Sequence, residues 1–495
     1  MKKAFSGRLP GLSITILLTV ALTLFMAILI KTKMLPSKLL LLAGTLFLLF
    51  VVCVCLLTWD MRKTGRMVTG SVLTMALLIV LMIGTPYLTK AVSTLNKLTG
   101  VNVEVADVGV YVKNESPIQD LSGLNGKTVG ILGILDRDNT DKALQELRNQ
   151  AGTLDTTEYI GLSELADGLM EEEVDAILLN NAFLDLLTET EGYEDILDKI
   201  HEIHTQQTET VIEKVEDETK DKWNILDLFG GEEEEERQDR VFTMYISGID
   251  NRGGLIAKSR SDVNILATVN VDTRKVLLVY TPRDYYVPLP ISNGQCDKLT
   301  HAGIYGVDVS IGTLEMLYGI DIDYYFRVNF SGFERIIDAL GGITVNSDYA
   351  FSTSKGTFQK GENYLNGEQA LSFARERKSF KEGDRQRGRN QMAVIKAVIN
   401  KAMSPAILSG YADIMESVAG SFETSMPYDL IAELVRDMLE KGGSWNIVSY
   451  SVNGSGDSRR PYSMSTNAYV MIPDQETVDT AIEKINQVMN GETVE

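Results

Sequence analysis

Arginines and aspartates gather in two places in the second half of the chain. In the first, Asp250 ends the apolar run VFTMYISGID, Arg260 and Asp262 open the run SDVNILATVNV, and Arg283 follows KVLLVYTPRD. Each run has the length and apolar content of a strand, and strand ends facing a crevice are where open α/β sheets bind ligands. Two acids and two arginines there suit a metal-bound diphosphate. A hard divalent ion takes one or two carboxylates plus phosphate oxygens, which gives Asp250 and Asp262 their role. The same four residues also make two Asp–Arg salt bridges at loop entries, and spacing alone leans towards that simpler arrangement.

The second cluster is ALSFARERK at 370–378 with EGDRQRGRNQ at 382–391. Arg375 and Arg377 are two apart, so on a strand they share one face with Leu371 and Phe373. Two guanidinium forks side by side can hold phosphates bidentately. A helix is expected to begin near Asp384 or Arg385, with Asp384 available as its cap. Arg387, Gln391, Val394 and Val398 then fall on one stripe, which places a charged residue at the mouth of an apolar pocket. The helix N-terminus adds free N–H groups. Arg385 and Arg389 fall on another stripe and read as surface charges. The seven Lys and Arg between 375 and 389 lack interleaved exposed aromatics, which favours an interior anion site over a nucleic-acid patch.

These residues need a scaffold. Residues 241–490 read as one α/β domain, with further helices at VSIGTLEMLYGI, FERIIDALGG, MAVIKAVINKAM, Tyr428 to Leu439 and Gln475 to Met489. Some 250 residues suffice for a complete core. Residues 206–240 form an acidic connector, with five consecutive glutamates at 232–236. Residues 101–205 alternate strand and helix, which predicts a small unit with a parallel sheet. The GLNGKT at Gly123–Thr128 lacks the first glycine of a phosphate loop, because Leu121 stands there, and reads as a turn into a strand.

Ahead of these lie three apolar runs, about 12–30, 39–58 and 67–87, each near the length that spans a bilayer; residues 1–95 are therefore read as a retained membrane anchor. Lys2, Lys3, Arg8, Arg62, Lys63 and Arg66 fall on one side and Lys31, Lys33 and Lys38 on the other. The positive-inside rule then puts residues after about 90 outside the cell. A net charge of −21 argues against general nucleic-acid binding. Three histidines, at 201, 204 and 301, argue against a multi-histidine metal centre, and Cys296, the one cysteine beyond the apolar runs, has no partner for a disulfide there. His301 reads first as a structural hydrogen-bonder.

With these residues in hand, the C-terminal domain resembles the LytR–CpsA–Psr family of cell-wall ligases. The matching elements are SGIDNR (247–252), KSRSDVNILATVN (258–270), YTPRD (280–284), KLTHAGIYG (298–306), DALGGI (338–343) and the two arginine motifs. The helices and extra unit look most like the capsule-type branch. The resemblance implies an extracellular mixed-sheet α/β catalytic domain behind three transmembrane helices and a small α/β accessory domain. It implies a phosphotransferase that moves a glycopolymer with one phosphate from a polyprenyl diphosphate carrier to a peptidoglycan hydroxyl. Carried over by motif, Asp250 and Asp262 hold Mg²⁺ or Mn²⁺, and Arg260, Arg283, Arg375, Arg377 and Arg387 grip the diphosphate with Gln391 assisting. Asp384 or a metal-linked carboxylate is the candidate base. The expected partners are the lipid-linked glycan, peptidoglycan and the membrane, with no nucleic acid. A lipid-diphosphate hydrolase and a non-catalytic membrane sensor are the rival readings.

Overall fold

A computed structural model of the chain describes residues 9–59, 64–98, 103–211, 240–249, 258–404, 414, 417–418, 420–442 and 444–494. Three helices open it: α1 (Leu9–Lys31), α2 (Ser37–Thr58) and α3 (Thr64–Leu98). Each contains an apolar segment of 20 to 22 residues, enough to cross a bilayer. They meet through Leu18, Leu22, Val54 and Leu81, while most other leucines and isoleucines point outward. That inversion of the soluble pattern suits a lipid surround. Helix α3 runs eleven residues past the predicted limit of 87, ending at Leu98.

The small unit follows. Strands β1 (Val103–Lys113), β2 (Lys127–Leu132), β3 (Leu154–Tyr159), β4 (Ala176–Asn180) and β5 (Ile200–Val211) form one sheet in the order β3-β2-β4-β1-β5. Helices α4 (Arg137–Ala151), α5 (Leu162–Met170) and α6 (Leu184–Thr188) lie between strands. The sheet is mixed, correcting the expectation of a parallel one. β2 pairs in parallel with β3 and β4, but β1 pairs antiparallel with β4 and, along its whole length, with β5. Strand β5, IHEIHTQQTETV, is largely polar because it lies at the edge of the sheet, where most of its side chains stay partly or fully exposed. It continues to Val211, so the unit extends past the boundary expected at 205. Most of the acidic connector, residues 212–239, lies outside the described residues.

The large unit has a six-stranded sheet, β16-β11-β6-β7-β8-β17, whose strands are β6 (Val241–Ile249), β7 (Ser261–Asn270), β8 (Lys275–Tyr280), β11 (Tyr324–Asn329), β16 (Phe422–Thr424) and β17 (Asn446–Ser451). Two-stranded ribbons flank it: β9 (Tyr286–Pro288) with β10 (Cys296–Lys298), β12 (Ile343–Ser347) with β15 (Gly361–Leu365), β13 (Phe351–Thr353) with β14 (Gly356–Phe358), and β18 (Gly454–Arg459) with β19 (Ala468–Pro473). The helices are α7 (Leu299–Tyr305), α8 (Val307–Tyr318), α9 (Phe330–Ala339), α10 (Gly367–Arg375), α11 (Asp384–Ala402), α12 (Tyr428–Lys441) and α13 (Gln475–Met489).

Strands β7 and β8 are buried on both faces, so their sequences are nearly continuous apolar runs. Leu266, Leu277 and Val279 pack with α8 and α13 on one face. Ile265, Ala267, Leu278 and Tyr280 pack with α11 and α12 on the other. The two units share a core: Phe183, Leu186 and Leu187 of the small unit pack with Ala302, Ile304, Tyr305 and Val309 of the large one. A buried ion pair adds to this joint. Arg327 on β11 is held between Glu423 on β16, at 2.8 Å, and Glu104 on β1. Glu104 also accepts from the Val307 N–H at 3.1 Å.

One local expectation fails. Residues 367–375 are a helix, not a strand. The Asn366 carboxamide accepts from Gln369 N at 2.9 Å, and Gln369 Oε1 accepts from Asn366 N at 3.2 Å. This reciprocal cap nucleates a helix that the short apolar alternation LSFA does not reveal. Arg375 is in its last turn and Arg377 lies just beyond it, so the two do not share a strand face.

Candidate functional site

Strand directions bring the first cluster together. β6 and β8 both run antiparallel to β7, so the ends of β6 and β8 and the start of β7 meet at one edge. β11 runs parallel to β6 and ends there too, with Asn329 beside Ile249. Arg260, Asp262 and Arg283 stand on this edge. Asp250 lies outside the described residues. The start of β7 is pinned from behind: Ser261 Oγ lies 2.9 Å from Tyr245 Oη and 2.8 Å from Ser247 Oγ, and Tyr245 donates to Asn264 at 2.7 Å. Gly303 lets α7 approach closely; a Cβ there would lie 2.5 Å from the Ser259 carbonyl oxygen.

The second cluster arrives from α10 and α11. Helix α11 begins at Asp384 as expected, but Gly383 holds the cap position and no side chain caps it. Asp384 turns instead to Arg387, with Oδ1 2.5 Å from Nη2, and accepts from Tyr280 Oη at 3.2 Å. The helix can cross β8 because Gly388 has no side chain; a Cβ would lie 2.4 Å from the Tyr280 ring. Arg387 and Gln391 are buried in the stripe predicted for them, whereas Arg385 is exposed and Arg389 is partly so.

Between these elements lies a pocket of about 550 Å³. Arg260, Asp262, Arg283, Arg375, Arg377, Arg387 and Gln391 all line it, so it unites every described residue predicted for the diphosphate. Apart from Glu189 and Asn329, its remainder is almost all hydrocarbon, from Met244, Ile246 and Phe326 on the sheet to Phe333, Val394 and Val398 on the helices. From Arg387 to Ala402 the α11 stripe covers about 22 Å at the helical rise. Asp384 is not among the lining residues; it stands behind Arg387.

The arginines differ in how they are held. Arg283 donates to Asp262 Oδ1 at 2.8 Å, and Thr300 Oγ1 donates to the same oxygen at 3.4 Å. Burial disfavours the Arg283 charge, but Asp262 and Asp284 outweigh it and push its pKa up, so it stays a cation. Arg375 is exposed and lies 4.1 Å from the centroid of the Phe330 ring, a cation–π contact at the rim. Among the described residues, the buried Nε of Arg283 and the buried Nε and Nη2 of Arg387 have no hydrogen-bond partner; Nη2 meets Asp384 in distance but not in hydrogen-bond geometry. Native proteins rarely leave such donors unmet, and these have capacity to donate to an added acceptor. Asp262 supplies hard oxygen and suits a divalent ion with phosphate oxygens completing its shell. Among the described residues, no group of three metal-binding side chains occurs.

Some participants had no place in the reading of the sequence. Tyr280 is one, although period-two alternation with Val276 and Leu278 aims it at α11. Glu189 is another: it lines the pocket from the small unit and binds Arg260 at 2.6 Å. Nothing local in the sequence links the two. His301 is held in the core on one side of its ring. Its Nδ1 lies 2.7 Å from Asp297 and 2.8 Å from Ser463, and all three are sealed from solvent.

The chain is 35% identical over 216 residues to the polyisoprenyl-teichoic acid–peptidoglycan teichoic acid transferase TagU of Bacillus subtilis, covering 43% of this chain and 69% of that one. It is 34% identical over 251 residues to the protein of the same name from Oceanobacillus iheyensis, covering 49% and 73%. The crystal structure of B. subtilis TagV superposes with a TM-score of 0.44 at 28% identity, covering 52% of this chain and all of that one. A DNA polymerase processivity factor model matches residues 64–179, from α3 into the small unit. The LytR_cpsA_psr family model matches residues 197–487, more than half of the chain, and the protein belongs to that family.

Proposed function

We propose that this protein transfers a glycopolymer, with one phosphate, from a polyprenyl diphosphate to a peptidoglycan hydroxyl at the outer face of the membrane. The relatives are named as teichoic acid transferases; teichoic acid or a capsular polysaccharide is the polymer class. One observation carries the reading: the ion-paired guanidinium groups of Arg283 and Arg387, whose Nε–H groups have no hydrogen-bond partner among the described residues, stand at the head of a long apolar barrel. That combination fits a diphosphate joined to a prenyl chain. The chain fills the barrel by hydrophobic transfer, and the arginines meet the phosphate oxygens.

In the reaction the acceptor hydroxyl oxygen attacks the phosphorus attached to the glycan. A new P–O bond forms, the anhydride bond breaks, and the prenyl phosphate leaves with the electron pair. Negative charge builds on the equatorial oxygens and the leaving phosphate, where the fixed cations of Arg283, Arg375, Arg377 and Arg387 stabilise it. Asp262, with Asp250 outside the described residues, would hold a Mg²⁺ or Mn²⁺ ion, which supplies neutralisation of phosphate charge when bound. Asp262 at the mouth and Asp384 behind Arg387 are the carboxylates available to take the hydroxyl proton. An anhydride is exchanged for an ester, so no nucleotide is required.

The outward orientation rests on the basic residues of the anchor, and two contacts tie the first loop to the large unit. Tyr428 Oη donates to the Thr32 carbonyl at 2.9 Å, and Lys33 pairs with Asp429 at 3.0 Å. The loop between α1 and α2 and the large unit therefore share a side of the membrane.

The test is to incubate the full chain in bilayer discs with a prenyl-diphosphate-linked oligosaccharide and peptidoglycan. A product with phosphate between glycan and muramic acid supports transfer. Free glycan phosphate alone makes the protein a hydrolase, and no turnover despite donor binding makes it a sensor.

A further inference from the structure

The small unit places two carboxylates on an arginine of the large unit's pocket. Arg260 Nη1 donates to Glu189 at 2.6 Å, and Nη2 donates to Asp185 at 3.1 Å. Both acids come from one short segment, α6 and the residue after it. Glu189 itself lines the pocket, so the small unit forms part of its wall.

Such acids could act in two ways. They could be a plug, an internal anion that leaves when phosphate arrives. Or they could be a clamp that fixes the guanidinium plane while its other N–H groups remain for the ligand. The packing decides between these. A plug needs a movable base, but Leu186 and Leu187 of α6 are 0% and 1% exposed in the core shared by the two units. Phe183, just ahead, meets the Tyr305 ring edge-on with centroids 5.7 Å apart. The Glu104–Arg327 pair locks the same two units at a second point. Two acids on two different nitrogens also fix a plane, which one acid does not.

We propose that Glu189 and Asp185 of the accessory unit are positioning residues for the donor diphosphate, holding Arg260 in its binding orientation from outside the catalytic unit. This rests on the reading of the pocket as a diphosphate site. The accessory unit is then a working wall of the site rather than a spacer between membrane and enzyme.

The experiment compares Glu189→Ala, Glu189→Gln and Arg283→Ala in the full chain, in bilayer discs, with the same lipid-linked donor. For Glu189→Ala the KM for donor is expected to rise roughly fivefold, as an Arg260 freed on one side meets the phosphate less often in the right orientation, with kcat within about twofold and melting temperature unchanged. Glu189→Gln keeps an oxygen for Arg260 and is expected to recover at least half of that loss. Any other pattern overturns the proposal, whether unchanged KM, a KM lowered in both variants as a plug requires, or kcat and melting temperature falling together. If Arg283→Ala keeps full activity, the diphosphate reading itself fails. If Arg283→Ala is inactive and the Glu189 variants behave as wild type, only the clamp fails.

Discussion

Along α11 the pocket changes from guanidinium and amide to hydrocarbon within about two turns: Arg387 and Gln391 at the mouth, Val394, Val398 and Ala402 in the barrel. The mouth is made by residues from separate stretches: Arg260, Arg283 and Arg387 are held by ion pairs, and Arg375 rests on the Phe330 ring. The barrel is made by side chains from β6, β11, α9, α10 and α11, held only by packing. The difference has a physical cause. Phosphate recognition needs a few donors in fixed directions, whereas an alkyl chain needs only area without polar atoms. Errors at the mouth should therefore be costly and local, and errors in the barrel graded and dependent on chain length.

The sharpest break in that contrast is Arg283→Ala. It removes a cation from the reacting phosphates and leaves Asp262 without its partner. A loss of at least about 100-fold in kcat/KM is expected in the transfer assay, and Arg283→Lys should not restore it, because a point charge cannot replace the fork. The double change Arg375→Ala with Arg377→Ala comes next, at roughly 10- to 100-fold. Both residues are exposed, so the melting temperature should not move. The barrel is probed by Val398→Trp, which narrows it well below the mouth. Donors with long prenyl chains should lose about tenfold in KM while short-chain donors lose little; equal losses for both would show that the tail lies elsewhere. Phe330→Leu removes the ring under Arg375 and should cost about twofold to fivefold in KM.

The smallest effect is one of pH. Burial pushes the Glu189 carboxyl up, but the hydrogen bond and charge of Arg260 outweigh it and hold it below its ordinary 4.5. A depressed carboxyl contributes fully above its unfolded value and loses that contribution as pH falls through the lower folded value. The KM ratio between Glu189→Ala and wild type should thus be flat from about pH 5.5 to 8 and shrink only below about 4.5. A ratio that changes near pH 7 would point to a different titrating group.

Much of the mouth was legible because its residues lie at ends of strongly apolar strands and at the head of a periodic helix. Arg387 and Gln391 could be placed from the helical stripe, whereas for Asp262 and Arg283 spacing alone leaned towards the salt bridge they do form, and the resemblance supplied the ligand role. Arg375 and Arg377 were found for a wrong local reason: the strand spacing does not exist, yet the helix that replaced it delivers both to the same mouth. The barrel was not legible, since an apolar residue facing a slot looks in sequence like one facing a core. Strand β5 escaped because a half-buried, Thr- and Gln-rich edge carries little apolar signal. The Arg260 clamp joins residues 71 and 75 positions apart in different units, which no local pattern encodes.

The contacts of Tyr428 with Thr32 and of Asp429 with Lys33, at the first extramembrane loop, have a consequence for how the lipid arrives. An enzyme swinging on a loose tether would sample many heights above the bilayer and would have to lift each greasy substrate through water. Here the large unit rests on its own anchor at a set distance. The carrier can then slide sideways from the leaflet into its slot, and the wall polymer must reach down to meet it.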